Sequence, residues 1–103
     1  MLACVIRATG GLDQVHVQDI PAPDAPVGPG TVRVAVRAAA LNHLDLFVIR
    51  GLPLNYVFPH ILGADGAGLV VAVGSGVTGL KPGDGVMINP GISDGTCDAC
   101  RAG

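Results

Sequence analysis

The segment TVRVAVRA, residues 31–38, decides the fold class. Its valines, Val32, Val34 and Val36, alternate with charged or small residues, so every second side chain falls on the same face. A period of two is typical of a β-strand that is buried on one face only. The segment therefore predicts a sheet that covers an apolar interior.

Shorter apolar runs on both sides of this segment predict further strands. Residues 2–8 and 15–20 are two of them, and the glycine pair at 10–11 suits a hairpin connection. Residues 69–73 form a continuous apolar run, and residues 86–88 form another short one. Residues 21–30 hold four prolines and two glycines and are predicted to form a loop. Short, closely spaced strands are typical of a barrel or a sandwich.

Only residues 44–50 have helical spacing. Leu44, Phe47 and Val48 share one face there, and the helix is expected to begin at Asn42 or His43 and to end at Gly51. The expected fold class is therefore mostly β (α+β), a partly open β-barrel with one short helix.

Composition excludes several classes of function. A chain of 103 residues fits one domain, and its charged fraction of 14% is well below the usual ~25%, which suggests that part of the surface faces a partner or missing polypeptide. The net charge is −2 without a basic cluster, so no nucleic-acid partner is expected. No apolar run approaches the ~18 residues of a membrane span. Three cysteines and no secretory leader predict a cytoplasmic protein without a disulfide framework.

A glycine motif at residues 74–79, GSGVTG, matches the G-x-G-x-x-G pattern of dinucleotide sites. Such a site needs a helix immediately afterwards, because the pyrophosphate binds at a helix N-terminus. Residues 80–85, LKPGDG, have turn chemistry instead. The motif is therefore interpreted as a connection between strands.

Two polar segments carry candidate catalytic residues. Asn42, His43 and Asp45 lie between the strand of residues 31–38 and the predicted helix, and a helix cap is the structural alternative for them. Asp65 lies among small residues in PHILGADGAG, residues 59–68, where the alternative is a tight turn with the carboxylate in solvent.

A third segment, DGTCDAC at residues 94–100, carries candidate metal ligands. Cys97 and Cys100 have the C-x-x-C spacing of a zinc knuckle, and Asp94 is a candidate third ligand. A redox role would need a helix that opens at the motif, and Gly95 and Gly103 argue against one. Two free thiols are the remaining alternative.

Together the segments resemble the medium-chain dehydrogenase/reductase superfamily, which includes zinc alcohol dehydrogenases and quinone oxidoreductases. The resemblance covers the whole chain and is carried by residues 38–45, 59–68, 73–77, 81–84 and 89–91. It implies that residues 1–103 are an N-terminal GroES-like catalytic domain, truncated within the structural zinc lobe. It also implies that the Rossmann domain, which binds NAD or NADP in that family, is absent from these residues.

Departures from the family pattern argue against a catalytic zinc. Asn42 stands at the cysteine position, and Ala64 and Asp65 stand where a Gly-His-Glu motif has histidine and glutamate. The zinc-independent quinone oxidoreductases also carry asparagine at the first position. In the structural lobe, Asp94 replaces the first of four cysteines, Cys97 and Cys100 match the next two, and the fourth falls beyond residue 103. A structural zinc site is thus possible but incomplete.

The resemblance implies an NAD(P)(H)-dependent oxidoreductase acting on an alcohol, carbonyl, quinone or enone, homo-oligomeric when full length. Asn42 is the candidate hydrogen-bond donor or nicotinamide contact, and His43 is the candidate proton relay or ribose–phosphate contact. Asp45 is expected to orient its neighbours. Asp65 is expected to support the residues around the substrate without touching the reacting atoms itself. His16 and His60 are expected to be structural. A stand-alone binding module, or a small zinc or thiol protein using Cys97 and Cys100, remains the alternative.

Overall fold

The computed structural model describes all 103 residues and contains six strands and two short helices. In chain order the elements are β1 (Leu2–Ile6), a 3₁₀ turn (Leu12–Gln14), β2 (Val15–Asp19), β3 (Val32–Ala40), α1 (His43–Arg50), β4 (His60–Ile61), β5 (Asp65–Val73), β6 (Gly85–Met87) and α2 (Asp98–Ala102).

The strands form two separate three-stranded sheets, in the orders β2-β1-β4 and β3-β5-β6. Every pairing is antiparallel, and neither sheet closes on itself. The expected mostly β, partly open architecture is therefore confirmed. The hairpin of β1 and β2 is also confirmed, with Leu2 opposite Asp19 and Ile6 opposite Val15.

The pairing of β3 with β5 is the longest in the molecule and contains the valine alternation. It runs from Val32 opposite Val73 to Ala40 opposite Asp65, with two register shifts along β3. β5 begins earlier than the apolar run at 69–73, because residues 65–68 also pair with β3. At Gly68 a side chain is excluded, since a Cβ there would overlap the carbonyl oxygen of Ala35.

The buried interior is small. Only six residues are buried: Val5, Ile6, Asp45, Ile49, Leu62 and Val70. Ile6, Ile49 and Leu62 form one cluster, which packs α1 against the first sheet. Large apolar side chains stay in solvent elsewhere, and Ile92 is 100% exposed. The low charged fraction of the sequence therefore corresponds to an apolar surface.

Two short elements differ from the sequence prediction. His60, expected in a loop, pairs with Ile6 through β4. A second helix, α2, opens directly at the C-x-x-C motif with Cys97 as its N-cap, so the prediction of a single helix is wrong on this point. Gly95 has a φ of +73° and turns the chain before the helix, and Gly103 follows its last residue, so neither glycine interrupts it.

The glycine motif at residues 74–79 forms turns, and no helix follows it. Asp84 closes the next turn by accepting hydrogen bonds from the backbone N–H and the Nζ of Lys81, both at 2.9 Å. The Lys81 ammonium and backbone N–H hold the pKa of Asp84 below its ordinary value. The interpretation as a connection between strands is confirmed. None of the helices has the length and apolar character needed to cross a lipid bilayer.

Replacing Gly68 by alanine is expected to destabilise the chain by about 1–3 kcal/mol, because the new methyl group must push β3 away from β5. Gly85→Ala is the matched control, since a Cβ at Gly85 meets no atom within 4 Å. Urea unfolding followed by circular dichroism measures both variants. Equal midpoints for the two variants would contradict the assigned close approach.

Candidate functional site

The turn between β3 and α1 positions the first group of polar side chains. Asn42 has extended backbone angles, and its Oδ1 accepts a hydrogen bond from the backbone N–H of Leu44 at 2.8 Å. The backbone N–H of Asn42 donates to Oδ2 of Asp45, also at 2.8 Å. This reciprocal cap satisfies N–H groups that the start of a helix leaves without intrahelical partners. Asn42 and Asp45 therefore cap the helix, as the structural alternative predicted. Both side chains also make hydrogen bonds outside the cap.

Asp45 is the single buried charged side chain, with 7% of its surface exposed. Its Oδ1 accepts a hydrogen bond from the backbone N–H of Gly63 at 2.8 Å, while Oδ2 accepts from Asn42. The carboxylate thus joins the start of α1 to the loop that precedes β5. It therefore connects two of the segments that carry the polar group.

Asp65 completes the group from the first position of β5, opposite Ala40. Its Oδ2 accepts a hydrogen bond from Nδ2 of Asn42 at 2.7 Å. The side chain is half-buried, so the alternative of a tight turn with Asp65 in solvent is wrong. Because Oδ1 and Nδ2 of Asn42 face different partners, the orientation of the amide is fixed, and one Nδ2–H remains for another acceptor.

His43 lies beside this group along the chain but makes different contacts. Its ring is exposed and stacks on Phe47, with ring centroids 5.1 Å apart and planes 17° from parallel. No hydrogen bond joins it to Asn42, Asp45 or Asp65. The exposed ring of His43 therefore stands apart from the hydrogen-bonded group.

The other two histidines lie in strands. His16 is exposed on β2, and His60 is half-buried and meets Tyr56 edge to face at 5.6 Å. Neither belongs to the polar group around Asn42.

Two apolar grooves meet at Asp65. One, of about 580 Å³, is lined by residues 38–40, 65–67 and 87–90. The other, of about 390 Å³, lies between the start of β1 and residues 61–66. Volumes of about 300–1,000 Å³ with few polar groups are typical of small-molecule sites. Asp65 is the only carboxylate on either wall.

The segment before α2 holds the second group of functional side chains. The ligand atoms of Asp94, Cys97 and Cys100 all lie within 4.8 Å of one another, and the two sulfurs are 3.3 Å apart. Oδ1 of Asp94 accepts hydrogen bonds from the backbone N–H groups of Thr96 at 2.8 Å and Cys97 at 3.0 Å. The predicted metal-ligating residues are therefore brought together by the turn and the first turn of the helix.

Local hydrogen bonds also lower the pKa values of Asp94 and Cys97. The backbone N–H groups of Cys97 and Thr96, followed by the Cys100 thiol, lower the pKa of Asp94 to about 2. The backbone N–H and then the thiol of Cys100 hold the pKa of Cys97 below its ordinary value. Carboxylate and thiolate are the forms that bind metals. Because both lowered pKa values increase the share of these forms, they favour the binding of a metal cation.

The two groups differ in their fit to zinc. Asp94, Cys97 and Cys100 supply three of the four donors of a tetrahedral structural site, and they are the one set of three or more His, Cys, Asp or Glu donors that converge. At the Asn42 position the donors do not fit a catalytic zinc. The amide is already hydrogen-bonded on both sides, and Ala64 carries no ligand atom.

Two parts of the site are not predicted by the sequence patterns. Gly63 supplies the N–H that holds Asp45, and its φ of +89° makes glycine the suitable residue there. Residues 87–90 form one wall of the larger groove. A glycine in an otherwise apolar stretch was the available signal for the first, while the second depends on contacts between distant segments.

Comparison with known proteins identifies the family. Residues 28–103 match the alcohol dehydrogenase GroES-like domain. S-(hydroxymethyl)glutathione dehydrogenase of Escherichia coli is 43% identical over 79 residues, which is 77% of this chain and 21% of that protein. The crystal structure of an NAD-dependent alcohol dehydrogenase is 52% identical with a TM-score of 0.84, covering 99% of this chain and 29% of that one.

A quinone oxidoreductase structure from Pseudomonas syringae pv. tomato is 38% identical with a TM-score of 0.73, covering 84% of this chain and 26% of that one. The chain thus spans less than a third of the length of each of these oxidoreductases. Its sequence and its fold lead to the same assignment: the chain belongs to the alcohol dehydrogenase GroES-like domain family of the medium-chain dehydrogenases/reductases.

Proposed function

We propose that the chain forms the substrate-binding part of an NAD(P)(H)-dependent oxidoreductase that acts on a small alcohol, carbonyl, quinone or enone. The observation that carries the proposal is the Asn42–Asp65 pair, in which a fixed amide is bonded to the one carboxylate shared by two apolar grooves. Membership of an oxidoreductase family supports the same activity.

A nicotinamide cofactor would supply the hydride, and the protein has to orient the substrate and stabilise its developing negative charge. Asn42 is suited to this role, because its remaining Nδ2–H is held by the hydrogen bonds on the other amide atoms. The accessible ring of His43 is suited to pass a proton or to contact the cofactor's ribose or phosphate. Asp45 acts as a positioning residue, and Asp65 orients the amide.

The proposed chemical step does not use a catalytic zinc, since an engaged amide and an alanine replace two of the family's ligands. Hydrogen-bond donors take the place of a Lewis acid at the substrate oxygen. The asparagine is shared with the zinc-independent quinone oxidoreductases, which supports a carbonyl or enone as the acceptor.

A structural zinc is proposed for the segment before α2. Asp94, Cys97 and Cys100 would hold it, with the fourth ligand supplied by another part of the full-length polypeptide. Such an ion would fix the fold of this lobe and take no part in the reaction. A cytoplasmic location is proposed from the composition, because three cysteines are an odd number and do not make a complete disulfide framework.

The 103-residue chain is expected not to bind NADH or NADPH at micromolar levels, because residues 74–79 lead into a turn and not into a helix. Fluorescence titration and calorimetry measure this. A longer polypeptide that includes the region its relatives have beyond this domain is expected to bind one cofactor and oxidise it with a suitable carbonyl or enone. Cofactor binding without turnover on any of these substrates would contradict the proposed function.

In that longer enzyme, Asn42→Asp is expected to lower kcat about 100-fold, in the range found for loss of one hydrogen-bond donor to an oxyanion. Aspartate still caps α1, but it cannot donate a hydrogen bond, and it places a second carboxylate beside Asp65. Asn55→Ala, in an exposed loop, is the control. Thermal unfolding is measured on both variants. Unchanged kcat in a folded Asn42→Asp enzyme would remove Asn42 from the proposed site.

Zinc affinity is expected to follow the number of good ligands before α2. Asp94→Cys should bind zinc at least about tenfold more tightly than the natural chain, or ~1.4 kcal/mol, and Asp94→Ala should bind it more weakly. Asp98→Asn is the control, because Asp98 lies in the same lobe but outside the cluster of ligand atoms. Competition with a chromophoric chelator measures all four proteins. Equal affinities would show that position 94 is not a ligand.

A further inference from the structure

Cys97 and Cys100 lie in a geometry that also suits a covalent bond between them. Their sulfurs are 3.3 Å apart, and a disulfide requires about 2.05 Å, so closure needs a movement of ~1.3 Å. Rotation of the two side chains about their Cα–Cβ bonds is the movement that would close this gap. Cys97 is exposed and Cys100 is half-buried, so a reagent can reach the pair from solvent.

The arrangement around the pair favours thiol–disulfide exchange. α2 begins at the motif, with the backbone N–H of Cys100 directed at the Cys97 sulfur at 3.5 Å. Two thiols at C-x-x-C spacing whose sulfurs are in contact can close a disulfide through a mixed-disulfide intermediate. No other side chain separates the two sulfurs, which contact each other directly.

The third cysteine lacks these features. Cys4 lies in β1 and packs against the apolar cluster of Ile6, Ile49 and Leu62. It makes no sulfur–sulfur contact and is interpreted as a packing residue. Within the chain, disulfide formation is therefore expected only between Cys97 and Cys100.

We propose that Cys97 and Cys100 form a reversible dithiol–disulfide pair that is oxidised by low-molecular-weight disulfides and that excludes metal when oxidised. The thiol of Cys97 loses its proton to solvent and attacks one sulfur of the oxidant, which gives a mixed disulfide and one released thiol. Cys100 then attacks the Cys97 sulfur and releases the second thiol. The protein loses two electrons and two protons, and the oxidant is reduced to two thiols.

Closure of the disulfide has a consequence for the metal ligands. Both thiolates are consumed, so only the Asp94 carboxylate remains of the three converging donors. A single exposed carboxylate does not hold zinc. The lobe thus has two exclusive states, metal-bound with both thiolates or oxidised without metal, and this property does not depend on the proposed oxidoreductase reaction.

The test uses the 103-residue chain and glutathione disulfide, with intact-mass analysis and peptide mapping. The natural chain and Cys4→Ser should each lose two hydrogen atoms and yield a Cys97–Cys100 disulfide that dithiothreitol reverses. Cys97→Ser and Cys100→Ser should each retain a single glutathione adduct on the remaining cysteine of the pair. Stable glutathione adducts on the natural chain, or loss of the disulfide in Cys4→Ser, would overturn the proposal.

A second measurement addresses the exclusion of metal. Zinc affinity, measured by chelator competition, should fall at least tenfold on oxidation and recover on reduction. Equal zinc uptake by the reduced and oxidised chains, including no uptake by either, would overturn the exclusion, while the mass analysis still decides whether the pair forms.

Discussion

The buried carboxylate of Asp45 is the contact on which the candidate site depends. It accepts hydrogen bonds from the backbone N–H groups of Asn42 and Gly63, and so ties the start of α1 to the loop before β5. A buried charge is costly unless hydrogen bonds compensate it, and here both oxygens are engaged. Ile49 on the same helix packs into the apolar cluster, so polar and apolar contacts fix α1 together.

Much of the fold could be predicted from residue patterns because it is encoded locally. The alternation at Val32, Val34 and Val36 identified β3, and the glycine pair at 10–11 marked the hairpin of β1 and β2. The asparagine before an apolar helix identified the cap of α1. β4 has only two residues, which are too few to carry a periodic pattern. α2 has five residues and a glycine at its C-cap, so it is too short to show helical spacing in the sequence.

The candidate site could be predicted only in part. The residue types of Asn42, Asp45 and Asp65 drew attention to them, but no pattern along the chain shows that the Asn42 amide meets Asp65, 23 residues away. That contact follows from the register of β3 with β5, which places Asp65 opposite Ala40. The grooves combine distant segments in the same way. By contrast, the ligand cluster of Asp94, Cys97 and Cys100 lies within seven consecutive residues, and its spacing sufficed to predict it.

Helix capping and the proposed chemistry place a joint constraint on Asn42. Its Oδ1 and one Nδ2–H are already bonded, so a substrate oxygen can use only the remaining Nδ2–H. With so few buried residues, the rigidity of this donor comes from hydrogen bonds and strand pairing more than from an apolar core. Such preorganisation is what stabilisation of a developing negative charge requires, because donors already held in place need no reorganisation during the reaction. The contacts that start the helix and those that orient the amide are therefore the same contacts.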